Sequence, residues 1–427
     1  MWRLLDQQKF YLINMKISEV FTPKKTEPNL NTYIPRKEIE DSIFDAIDTG
    51  LNVVICGESG SGKSWLYKKV FHDKNISYKI VNCASTERYL NLTETIYKSI
   101  IPDGYKRKVS ILETKKAEIG VSIAKGGLET TNGFQLNAGD PLYDSFLYLR
   151  EHSVTEKFVL VFDNLEFIFS SEKLMKELGS IIMLLDDEIF SHLNIQILIV
   201  GVPSGILEYY SNIPNLQSIS NRLEEVSKVR PLTSPMVQTL CIRGFSQSLK
   251  MISNIEDIKE ISEHTYNLTL GLAQRVQEYF LKLAKIIEKN SNSYNQSLLE
   301  EADIEWMKSG LRQSYIAVSK FLVNGKIGPD RRNQVIYCIG KTKSHEFDYD
   351  EIEEKIKIFF PNTINGQKIN YSQIFKSLSE GDRPLIKKSI TKGNYLIYDS
   401  RYLMVIRAML FIDQSDGSVG IKKFAQG

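Results

Sequence analysis

Residues 57–64 read Gly57-Glu58-Ser59-Gly60-Ser61-Gly62-Lys63-Ser64 and raise the first chemical question. The spacing G-x-x-x-x-G-K-[ST] lets main-chain N–H groups curl round a phosphate, with the positive end of a following helix behind them. In that geometry Lys63 reaches the β- and γ-phosphates and the Ser64 hydroxyl ligates Mg²⁺. Such a site also needs an acidic group at the end of a neighbouring strand, and Phe158-Val159-Leu160-Val161-Phe162-Asp163 ends on one, so Asp163 is the expected metal residue. Hydrolysis needs a group that orients or deprotonates water. Glu166 is the nearest carboxylate, whereas Asn164 can only position the water. Glu166 reads equally as a solvated acid at the start of a helix. No N-K-x-D element for reading guanine occurs, so ATP with Mg²⁺ is the expected ligand.

The elements that must position these residues are legible around them. Residues 51–56 (LNVVIC) form an apolar β-rich run directly before the glycine loop, and WLYKKVFHD after it reads as a helix. Further strand-like runs lie at 78–83, 157–162 and 195–202, separated by helical stretches such as 172–185. Buried strands alternating with helices predict an α/β fold with a mostly parallel sheet covered on both faces. Residues 106–137, flanking Gly126-Gly127, read as a β-hairpin inserted into that core. Past Pro231 helical patterns follow at 234–249, 255–266, 270–288 and 303–323, and read as a separate helical lid. Beyond Lys326, three short helices (332–341, 350–360, 371–379) and a terminal hairpin around Thr391-Lys392-Gly393-Asn394 describe a winged helix. The expected division is therefore 1–50 as an extension with an adenine-side linker, 51–232 as core, 233–325 as lid and 326–427 as winged helix.

These features together resemble the AAA+ and STAND branch of P-loop ATPases, in particular origin-recognition-type initiators and related bacterial ATPases of replication, transposition and antiviral defence. The resemblance rests on Tyr33-Ile34-Pro35-Arg36, the glycine loop, VFDNLE, ILIVGVPS, NRLEEV followed by VRPL, and Gly271-Leu272-Ala273-Gln274-Arg275. It implies that the stretch containing Tyr33 and Ile34 borders adenine. It also implies that Ser204 ends a sensor strand near the γ-phosphate, that Arg222 reaches a neighbouring subunit's nucleotide, and that Arg275 is the lid's sensing arginine. Each arginine also reads as an ordinary salt-bridged surface group. Asn164 stands where many members carry the glutamate that activates water, which implies slow turnover or a switch held by ATP. Members of this kind assemble as homo-oligomers through the nucleotide site.

The whole chain carries 54 Lys and Arg against 52 Asp and Glu, a balance of +2 that by itself selects no partner. Its distribution does more. Residues 326–427 hold 17 basic and 12 acidic side chains, a local excess of +5. Lys387, Lys388 and Lys392 fall in the expected wing and Lys376 in the expected recognition helix, a layout suited to DNA phosphates but poor for reading bases. The alternative is that the winged helix packs on protein, as in a signalling switch that recruits a separate effector. Lys106, Arg107, Lys108, Lys115, Lys116 and Lys125 lie on the approaches of the expected inserted hairpin. They either line a groove facing nucleic acid or form a plain solvated surface.

Cys56, Cys83, Cys241 and Cys338 lie far apart with few histidines, which argues for free thiols in a reducing cytoplasm rather than zinc or disulfides. No apolar run approaches the roughly 18 residues that span a bilayer. The first fourteen residues lack a continuous apolar region and a cleavage site, and Met15 would serve as a start as well as Met1. No nuclease, protease or deaminase constellation is present, so any destructive effector is expected to be a separate protein.

Overall fold

A computed structural model of the chain describes residues 15–104, 139–201, 205–213, 216–323, 331–361, 370–391, 393–413, 415 and 417–423. The insertion expected at 106–137, Ser204 and Lys392 lie outside these residues. The chain divides into two units. One comprises Thr26–Pro28 and Pro35–Arg230, the other Met1–Lys25, Asn29–Ile34 and Pro231–Gly427.

The first unit is built on a five-stranded parallel sheet in the order β2-β3-β4-β1-β5. Its strands are β1 (Asn52–Cys56), β2 (Ser77–Asn82), β3 (Phe158–Asp163), β4 (Ile195–Gly201) and β5 (Leu223–Glu225). The short β5 was not foreseen, because three residues carry no periodicity to read. In β1 and β3 successive side chains alternate between two apolar cores. Val54, Cys56, Leu160 and Phe162 face helices Leu92–Ile100, Pro141–Glu151 and Glu172–Leu184, while Val53, Ile55, Val159 and Val161 face helices Lys37–Asp48 and Lys63–Asp73. Covering both faces is what turns these strands into unbroken apolar runs. The architecture is an α/β core with a parallel sheet covered by helices on both faces. The chain leaves the carboxyl ends of β1 and β3 on either side of β4, the crevice in which open parallel sheets bind ligands.

The second unit is mainly helical over Ser234–Ser319 and shares one continuous apolar core with the residues beyond 331. Residues 234–249, expected as a single helix, form an α-helix over Ser234–Cys241 followed by a wider π-helical segment over Ile242–Ser248. Beside this segment, Gly244 lies against Phe21. A Cβ on Gly244 would fall 2.3 Å from that ring, which also packs on Phe245 and Phe280. Residues 303–323, likewise expected as one helix, split into Ser297–Gly310 and Arg312–Ser319, since glycine is a weak helix former that commonly marks a stop.

The C-terminal part runs helix Arg331–Gly340, β6 (Glu346–Phe347), helices Tyr349–Phe359 and Tyr371–Leu378, then β7 (Ile386–Lys388) and β8 (Tyr395–Ile397). Its three strands form an antiparallel sheet in the order β6-β8-β7. The hairpin expected to be terminal is not. Helix Ser400–Met409 and a second hairpin, β9 (Leu410–Ile412) with β10 (Val419–Ile421), follow it. That helix is apolar nearly all round, with seven of its residues buried, so no amphipathic period marks it.

Asp303 is buried and accepts from His264 Nε2 (2.8 Å), Tyr279 Oη (2.9 Å) and Lys422 Nζ (3.0 Å), tying the chain after β10 to the helices before it. All four cysteines are free and buried. Phe360, Phe375 and Tyr210 are buried too. Among the described residues no helix is long and apolar enough to cross a membrane.

Candidate nucleotide site

β1 delivers the chain into the glycine loop. Gly57 has no room for a side chain, because a Cβ there would lie 2.7 Å from the Val229 carbonyl oxygen and 3.1 Å from Ser61 Oγ. Gly60 and Gly62 hold φ of +81° and +98°, values that favour glycine. Ser61 N–H bonds back to Glu58 O (3.1 Å), and Leu66 N–H to Gly62 O (3.1 Å) closes the first turn of helix Lys63–Asp73. The N-cap Gly62 offers no side chain to cap that helix, whose N-terminus follows the loop directly, the arrangement found at anion sites.

Lys63 Nζ donates to the carbonyls of Gly57 (2.8 Å) and Glu58 (3.1 Å). Burial pushes its pKa below the usual lysine range, and the negative charges of Glu166 and Asp163 pull it back. A desolvated ammonium held by neutral carbonyls gains from an anion. Asp163 is its counterpart. Burial raises the pKa of its carboxyl, while the Asn164 N–H at 2.9 Å and Lys63 oppose that rise. Magnesium with a polyphosphate supplies the opposite charge that each of these groups lacks, so the residues fit both ligands. Ser64, in the first turn of the helix, and Asp163 would hold the metal.

A folded-state pKa raised above the unfolded value contributes stability that is full below the unfolded value and lost as pH rises through the folded one. At neutral pH the folded protein thus carries the desolvation cost of an ionised Asp163. Asp163→Asn is expected to melt at or above wild type without ligand, by no more than about 3 °C. It should also lose the extra stabilisation that Mg²⁺ adds to ATP. Thermal melts with ATP, with and without Mg²⁺, read both effects, and a lower ligand-free melting temperature would contradict the argument.

The residues after Asp163 are arranged less simply. Asn164 sits at φ +62°, and its Nδ2 donates to Asn82 Oδ1 (3.0 Å), which also accepts from Ala84 N–H (3.0 Å). Asn82 ends β2 in register with Asp163 and was missed in the sequence. Its only signal there is a polar residue closing a strand that turns out to neighbour β3. Glu166 is exposed in the short turn Leu165–Phe167, close enough for its charge to act on Lys63 and Asp163. Beneath the loop, burial and then Glu225 push the Cys56 thiol up to about 12, and burial does the same for Cys83, so both remain protonated.

Arg222 precedes β5, where its guanidinium bonds Asp186 Oδ2 (2.5 Å) and the Ser218 carbonyl (2.9 Å). Tyr33, Ile34 and Arg275 belong to the second unit. There Tyr33 and Ile34 are buried, Arg243 donates to the Tyr33 carbonyl, and Arg275 pairs with Glu278 on its own helix (2.7 Å).

Residues 47–209 match the family model described as an AAA domain, a span that includes the glycine loop and Asp163. No curated protein matches the chain. Among solved structures, the ORC2 protein of Aeropyrum pernix in its ADPNP-ADP complexes is similar over 91% of this chain and 97% of its own. Its identity is 13% and its TM-score 0.51. The Walker-type ATPase of Pyrococcus abyssi is similar over 88% and 96% at 15% identity and a TM-score of 0.47. Cdc6p of Pyrobaculum aerophilum is similar over 92% and 97% at 14% and 0.42. At these identities the likeness establishes the fold alone, and the ORC2 match carries it.

Proposed function

We propose that this chain is an ATP-binding, slowly hydrolysing AAA+-type ATPase whose nucleotide state controls self-assembly and engagement of DNA, in genome replication, transposition or defence. The observation that carries the reading is the loop of residues 57–64, in which a helix start without a side-chain cap and a buried Lys63 stand with a desolvated Asp163 at the end of β3. Glu166 is the candidate water-activating base, and Asn164, tethered to Asn82, positions the water. The absence of a glutamate at 164 supports slow turnover. Glu166→Gln should lower hydrolysis by roughly 10²–10⁴-fold while sparing ATP affinity, the range for loss of a general base. An equal loss from Asn164→Ala alone would shift the role to that residue.

Residues 326–427 would act as the winged helix. Helix Tyr371–Leu378 presents exposed Lys376, and the hairpin of β7 and β8 presents exposed Lys387 and Lys388. Glu346 accepts from Ser389 Oγ (2.7 Å) and Asn394 Nδ2 (3.0 Å) and so fixes the turn of that hairpin. With Lys392 included, four phosphate contacts predict a slope of about −3 to −4 in log affinity against log salt. That is roughly a hundredfold loss between about 50 and 200 mM. Duplex titrations at several salt concentrations, with and without ATP, test this, and absence of binding at low salt would refute it.

The presence of a single cation on helix Tyr371–Leu378 favours a second reading, a STAND-type switch in which this part docks on protein and recruits an effector. Proteins copurifying with the full chain would distinguish the two. In either reading Arg222 acts on a neighbouring copy after leaving Asp186.

A further inference from the structure

We infer that Arg36 is a positioning residue for the glycine loop, holding the Ser61–Gly62 peptide so that the Gly62 N–H faces the phosphate. The inference rests on the nucleotide reading above but assigns Arg36 to the phosphates rather than to the adenine side of its sequence stretch. Arg36 Nη2 donates to the Ser61 carbonyl oxygen at 2.7 Å. In a trans peptide the C=O and the following N–H point in opposite directions, so turning the Ser61 oxygen toward Arg36 turns the Gly62 N–H away from it. Gly62, at φ +98°, follows this peptide directly and, having no Cβ, does not restrain its rotation on that side. Ser61 is fully buried, and its hydroxyl has no partner, so its side chain does not hold the loop either.

Arg36 is itself anchored. It is the N-cap of helix Lys37–Asp48, its N–H donates to Glu40 Oε1 (2.7 Å), and its carbonyl accepts from Ile39 and Glu40. That helix buries Ile43, Ala46 and Ile47 in the core beneath the sheet. The loop is thus held through its carbonyls, by Lys63 at Gly57 and Glu58 and by Arg36 at Ser61, and the Arg36 contact turns the Gly62 N–H toward the position of an anion.

Calorimetry with ADP and with ATP on wild type, Arg36→Ala and Arg36→Met tests this. Loss of one charge-assisted hydrogen bond should weaken both nucleotides about ten- to a hundredfold and nearly equally, since the contact supports the loop rather than the γ-phosphate. Low millimolar guanidinium should restore much of the affinity of Arg36→Ala, a rescue that a merely structural role would not show. Arg36→Met keeps the aliphatic stem and carries the same comparison if the alanine variant fails to fold. No heat with wild type would remove the nucleotide reading itself. Wild-type binding with unchanged affinity in the variants, or loss without rescue, would overturn the role of Arg36.

Discussion

Lys63→Ala is expected to raise the dissociation constants for ATP and ADP at least about a hundredfold, with little change in the melting temperature of the ligand-free protein. The two effects separate because Lys63 has different worth in the two states. Without ligand its ammonium satisfies the carbonyls of Gly57 and Glu58, but burial penalises its charge, as its lowered pKa shows. Losing two donors and relieving one desolvated charge are opposing terms of similar size, each about 1–3 kcal/mol. With nucleotide bound, the same ammonium would make charge-assisted bonds to phosphate worth about 1.5–3 kcal/mol each. Two such bonds amount to more than a hundredfold in affinity. Calorimetry reads the binding and thermal melting the stability. Affinity within tenfold of wild type would mean that Lys63 does not face the phosphates.

The largest stability effect is expected from Gly271→Ala. Gly271 has φ +70°, and a Cβ there would stand 2.0 Å from the Leu232 carbonyl oxygen and 3.3 Å from its nitrogen. The two residues are also joined by a 2.8 Å bond from Leu232 N–H to the Gly271 carbonyl, so the obstacle is backbone that cannot turn aside. The left-handed conformation costs about 1–2 kcal/mol and forced overpacking about 1–3 more. At about 2–4 °C per kcal/mol, the second unit should melt roughly 10 °C lower. Gly50→Ala is the control. Gly50 has φ +86° but nothing within 4 Å of its added Cβ, so only the conformational term applies. Equal melting of the two variants would show that the Leu232 contact yields.

How much of this was readable in advance depended on the range over which each signal acts. The strands β1, β3 and β4 were visible as apolar runs, and the loop of residues 57–64 as a spacing, because a phosphate cradle followed by a helix is a contiguous construction. Asp163 was recognisable because an acid ends an apolar run. Helix Ser400–Met409 was not, since a segment buried all round loses the period that distinguishes helix from strand. The π-helical segment beside Phe21 depends on a ring more than 200 positions away in the chain, and no local propensity records it.

A phosphate-binding loop between a buried strand and a helix is written in the linear chain, because every group that makes the cradle lies within eight consecutive residues. Tertiary structure alone decided which distant groups attend that loop. Strand order put Asn82 beside Asp163 and Asn164, helix packing brought Arg36 to the Ser61 carbonyl, and a surface pair engaged Arg222 with Asp186. Contacts of that kind are selected by the summed burial of whole elements, a property of the folded chain that no window of sequence contains.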